Sequence, residues 1–165
     1  MTGTACTGSA AFQRLAQNVG CSVADSAQAS FELVFEDDLA ITVSLHPNGD
    51  EVAADIWCCN AALLTGAPRR TVIKALLLLN QAIQSGRPLS IGIDSRDFIL
   101  LHGRQALAQL DGPAFTEWLI WLADQGRRVR ALIRTLSFES AEEAPRAAGH
   151  AAPVPRMDFT SPSTL

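Results

Sequence analysis

Phe31-Glu32-Leu33-Val34-Phe35 and Leu39-Ala40-Ile41-Thr42-Val43-Ser44-Leu45, joined by Glu36-Asp37-Asp38, decide the fold class of this chain. Both segments alternate with a period of two, the signature of strands that bury one face. The acidic triplet between them makes a tight polar connection, so the pair reads as an antiparallel hairpin. Pro47-Asn48-Gly49-Asp50 follows as a turn, because proline presets one torsion and Asn-Gly tolerates a left-handed backbone. It leads into a third strand over about Glu51 to Cys58.

Beyond Gly66-Ala67-Pro68, the run from Thr71 to Gln84 has helical length and stops at Ser85-Gly86-Arg87-Pro88. Val72, Leu76, Leu79 and Ile83 form one apolar stripe, Ile73 and Leu77 extend a second, and Leu78 lies away from both. A surface helix needs a single stripe about 100° wide, so this one predicts burial on more than one side. Leaving three or four leucines in water, at roughly 1.5 to 3 kcal/mol each, would be unfavourable, and a second subunit is a candidate cover.

Leu89-Ser90-Ile91-Gly92-Ile93 and Phe98-Ile99-Leu100-Leu101-His102 form a second hairpin across Asp94-Ser95-Arg96-Asp97. A final helix opens at Asp111-Gly112-Pro113 and carries Phe115, Leu119, Leu122, Val129, Leu132 and Leu136 on one face, with Trp118 and Trp121 on a neighbouring stripe. Arg127, Arg128, Arg130 and Arg134 read as its C-terminal end, where cations suit the negative pole. On the N-terminal side, Ser9 reads as the cap of a first helix bearing Phe12, Leu15, Ala16 and Val19, which Gly20 ends. The result is an α+β chain, three helices and an antiparallel five-stranded sheet in the order α-β-β-β-α-β-β-α. Residues 1–9 read as a flexible leader, 10–138 as one domain, and 139–165 as a disordered Ala/Pro/Ser-rich tail.

Composition narrows the function. The 165 residues are 48% apolar with a formal charge of −4, and the acidic groups are scattered, which leaves no cationic footprint for nucleic acid or anionic lipid. Of the four cysteines, Cys58 and Cys59 are adjacent and no Cys-x-x-Cys pair exists, so the thiols read as reduced and the chain as cytoplasmic. Neither a signal peptide nor a membrane span is visible. The groups available for catalysis are Cys58 or Cys59 with His46 or His102 and a carboxylate such as Asp94, but no motif joins them. His46, His102 and His150 lack the spacing of metal ligands, and no glycine-rich phosphate loop is present. No enzyme, cofactor or metal is expected; a surplus of apolar surface on a small acidic protein points to protein binding.

Leu76-Leu77-Leu78-Leu79-Asn80, Leu89 to Asp94 followed by Phe98-Ile99-Leu100-Leu101, and Leu110-Asp111 with Phe115 and Leu119 give the chain its family likeness. Over residues 10 to 137 it resembles the type III secretion chaperones of the Tir-chaperone (CesT-like) family. The two tails look closest to the multi-effector, export-control members of plant pathogens. The resemblance implies a cytoplasmic bacterial homodimer that holds the N-terminal region of effector proteins in extended form and promotes their export, with the secretion-apparatus ATPase as a further partner. Carried over by position, dimer contacts fall on Val72, Leu76, Leu79, Ile83, Leu89 and Ile91. Effector contacts fall on Phe12, Leu15 and Val19 and on Phe31, Leu33 and Phe35, although the last three serve equally well as internal core. The alternative is a YbjN-like regulatory module of the same fold that binds a folded partner.

Overall fold

The structure, a computed structural model, describes residues 5–23, 29–35, 37–83 and 88–148. Helix α1 spans Ala5–Asn18, strands β1 Ser30–Val34, β2 Ala40–Leu45 and β3 Glu51–Asn60, helix α2 Gly66–Ile83, strands β4 Leu89–Ile93 and β5 Phe98–Ala106, and helix α3 Gly112–Ala148. The order α-β-β-β-α-β-β-α is the one expected from the hydrophobic periods. All neighbouring strands are antiparallel, and the spatial order is β1-β2-β3-β5-β4. The second hairpin therefore enters the sheet with β5 against β3, leaving β1 and β4 as the two edges.

Pairing follows the alternation of side chains. Phe31 faces Val43, Ile41 faces Ile56, and Ile56 faces Leu101, so one side of the sheet presents a continuous apolar layer. Helices α1 and α3 cover that layer. Phe12 packs against Phe31 with ring centroids 5.5 Å apart, Phe31 meets Phe115 edge-on at 6.3 Å, and Phe115 touches Trp118 at 6.1 Å. Asp111 caps α3, its carboxylate accepting from the Ala114 N–H at 2.8 Å. Helix α2 packs on α3 and β4 through its buried Val72 and Leu76.

Gly126 lets α3 lie directly on β3. A Cβ built there meets Ile56 Cγ2 at 3.0 Å and Leu39 Cδ1 at 3.4 Å. Gly126→Val is accordingly expected to lower stability by about 1 to 3 kcal/mol, the usual cost of overpacking, although valine is a better helix former than glycine. Urea unfolding checks this; an unchanged or raised midpoint would show that the helix moves away at no cost.

Three local expectations need correction. Helix α1 opens at Ala5, so Ser9 lies inside it and does not cap it. Helix α3 continues to Ala148, so both helices reach into the segments read as leader and tail, while residues 149–165 lie outside the described ones. The four arginines consequently stand in mid-helix, where the negative pole, felt only in the last turn, does not reach them. Two of them have other work. Arg127 pairs with Asp37 at 2.9 Å, and Arg130 donates to the carbonyls of Trp57 at 2.7 Å and Asp38 at 3.3 Å, tying α3 to the β1–β2 turn and to β3.

Candidate partner-binding surface

Helix α2 has two apolar faces, and among the described residues only one is buried. Val72 and Leu76 turn into the core at 0% and 5% exposure, and Leu79 is partly buried. Leu77 and Leu78 stand 65% and 60% exposed. With Arg70, Ile73, Lys74 and Gln81 they line a shallow depression of about 460 Å³. Positions 70, 73, 74, 77, 78 and 81 follow the i, i+3, i+4, i+7, i+8 spacing of one helix face. An exposed apolar stripe flanked by two cations is thus set on a helix whose other side is anchored.

The anchor extends to the sheet edge. Asn80 Oδ1 accepts from the Ile91 N–H at 3.0 Å, satisfying an outward-facing donor of edge strand β4. The other edge, β1, presents Glu32 and the 69% exposed Val34.

The sheet face away from the helices carries a polar row and an apolar row. Glu32, Thr42, Asp55, His102 and Ser90 lie in register across all five strands. His102 donates through Nδ1 to Asp55 Oδ1 at 2.6 Å and accepts at Nε2 from Arg104 Nε at 2.9 Å. In the adjoining row Trp57 packs edge-on against Phe98 at 5.0 Å, and the Arg96 guanidinium sits 4.6 Å from the Trp57 ring centre. Asp94 closes the β4–β5 turn, accepting from the N–H groups of Phe98 at 2.8 Å and Arg96 at 2.9 Å. These bonds hold its carboxyl below the usual aspartate range, the Phe98 bond most strongly.

Of the two histidine candidates, His46 is far from the cysteines, and His102 is engaged by Asp55 and Arg104. His46 sits in the β2–β3 turn, bonded to Asn48 at 2.9 Å, whereas Cys58 and Cys59 lie at the far end of β3. Seven or more strand residues separate them, on the order of 20 Å. Burial pushes the Cys58 thiol up to about 11, against the opposing pull of the Arg130 guanidinium, and raises Cys59 in the same way. Burial thus keeps Cys58 as the unreactive thiol at pH 7. Cys58 is expected to resist iodoacetamide in the folded protein at pH 7, as peptide mapping of the alkylated chain would show; labelling as fast as a free thiol would contradict the assigned burial. Among the described residues there is no group of three or more metal-binding side chains, and no helix is long and apolar enough to cross a membrane.

Neither a family model nor a curated sequence matches the chain. Solved structures do. A chain of the ExsC–ExsE complex superposes with a TM-score of 0.62 at 18% identity, covering 81% of this chain and 97% of that one. A chain of the HopA1–SchA chaperone–effector complex gives 0.55 at 11%, covering 76% and 97%. A chain from the complex of the Yersinia pestis type III secretion chaperone SycH with a stable fragment of YscM2 gives 0.51 at 13%, covering 74% and 98%. The fold is that of the type III secretion chaperones.

Within the secretion-chaperone fold, the residues singled out from the sequence divide by burial. Val72, Leu76 and Leu89, carried over as dimer contacts, are enclosed in this chain's own core; Leu79 and Ile91 are partly buried. The Ile83 side chain lies outside the described ones. Phe12, Leu15 and Phe31, carried over as effector contacts, are also core residues, while Val19, Leu33 and Phe35 remain partly accessible. Leu77 and Leu78 replace the enclosed leucines as the exposed part of α2. The signal for them is the 70-73-74-77-78-81 spacing, which the run of four leucines obscures.

Proposed function

We propose that this protein is a cytoplasmic type III secretion chaperone, a homodimer joined through the exposed face of α2, that binds the N-terminal region of effector proteins in extended form and promotes their export, with the secretion-apparatus ATPase as a further partner. The observation that carries the reading is the fold shared with a chain of a chaperone–effector complex and with a chain of a type III secretion chaperone's complex with a protein fragment, at 76% and 74% coverage of this chain. The physical layout supports it. An extended segment can add to edge β1 while its side chains reach the partly buried Val19, Leu33 and Phe35. Ordering such a segment costs about 2 to 5 kcal/mol, which keeps a large contact releasable without a nucleotide. The separation of the two thiols from His46 gives no support to a catalytic reading.

Light scattering on the purified full chain tests the dimer. The expected mass is twice the 17.6 kDa of the chain, and a monomer at micromolar concentration would contradict this part of the proposal.

A further inference from the structure

At the end of the molecule remote from the β2–β3 turn, a groove of about 400 Å³ opens between the last residues of β3 and the middle of α3. The β3–β5 register slips between Trp57 and Cys59, and such a bulge bends its strand. Both Cys58 and Cys59 line the groove, with Leu64, Ile133 and Phe138 as its apolar walls. Its rim stands in water: Phe138 is 69% exposed, and Leu63, next to Leu64, is 78% exposed. Arg130 and Arg134 supply its charge, and among the described residues no acidic side chain lines it.

The two arginines are not equivalent. Arg130 directs its guanidinium to the carbonyls of Trp57 and Asp38. Arg134 is exposed and has no hydrogen-bond or ion-pair partner among the described residues. Its planar fork is free to hold a carboxylate through two parallel bonds. On a chain of net charge −4 this is a local site that is both cationic and apolar, and its complement is a segment both acidic and apolar. A basic segment is repelled there. Arg130, Arg134 and Phe138 recur at four-residue steps, so the groove follows α3 for about 12 Å, the rise of two turns. We infer that the groove takes an acidic amphipathic segment of a partner protein, with a large apolar side chain between Leu64 and Phe138 and a carboxylate paired to Arg134. It shares no lining residue with the α2 depression and none with edge β1, so the inference stands apart from the dimer and edge contacts proposed above.

The probe is a fluorescein-labelled peptide of three helical turns with phenylalanine and leucine four positions apart and glutamates beside them. Its control carries lysines in place of the glutamates. By fluorescence anisotropy on the full-length chain at fixed pH and salt, the lysine peptide is expected to bind at least about tenfold more weakly than the acidic one. Arg134→Glu, at an exposed position, should reverse that preference, and Phe138→Ser should weaken both peptides. Amide chemical shifts should move at Cys59, Leu64 and Phe138. No binding of the acidic peptide at about 1 mM, a preference that Arg134→Glu leaves unchanged, or shifts confined to α2 or β1 overturns the inference. Without peptide, shifts at Cys59 and Leu64 that change on dilution assign the groove to a second copy, and shifts that change on removal of residues 149–165 assign it to the chain's own end. Either result overturns the inference as well.

Discussion

Leu77→Glu/Leu78→Glu is expected to sediment as a folded monomer at concentrations where the native chain is a dimer. Both side chains are mostly exposed within one chain, so the substitution leaves the core of the subunit intact. In the proposed dimer each leucine loses its contact with water, worth about 2 kcal/mol, and the four of them, two per subunit, amount to at most about a millionfold in the dissociation constant before any charge effect. Four buried carboxylates at a two-fold interface add to the loss. Leu76→Glu should behave differently. Leu76 is 5% exposed against this chain's own α3 and β4, so a charge there is expected to unfold the subunit. Sedimentation velocity with circular dichroism separates the two outcomes. A soluble, folded dimer from the Leu77/Leu78 variant would move the interface off α2.

Phe115→Ala is expected to cost about 3 to 5 kcal/mol, a large share of the stability of a domain this size. Phe115 is fully buried and touches the rings of both Phe31 and Trp118, so its loss opens a cavity where α1, β1 and α3 meet. That region also positions Val19 and Leu33, which border the proposed partner surface. Chemical denaturation should show the midpoint falling with little change in slope. A cost below about 1 kcal/mol would mean that neighbouring helices close the gap, and that this junction is softer than its packing indicates.

The strands were legible because a period of two is written in consecutive residues: Phe31 to Phe35 and Leu39 to Leu45 alternate without help from the rest of the chain. The excess apolar content of α2 was equally legible. Which of its faces stays free was not, since Leu76 and Leu77 differ by one step of about 100° and the choice is made by α3 and β4, distant in sequence. The placement of Arg130 was hidden for a related reason. Its partners are main-chain carbonyls of Asp38 and Trp57, which no side-chain pattern announces. The Asp55–His102 pair depends on the register of β3 against β5, set by strands about 45 residues apart. Helix α3 outran its expected end because Glu139-Ser140-Ala141-Glu142-Glu143-Ala144 consists largely of good helix formers, so a polar composition did not mean an end to the helix.

The most direct test of the chaperone account is capture of the full-length tagged protein from the cells that make it, with the bound regions of each partner mapped by limited proteolysis. The account predicts proteins held through a stretch near their N-termini that proteases cut when the partner is alone and spare in the complex. A partner folded on its own and gripped elsewhere would contradict the account and favour a regulatory module of the same fold.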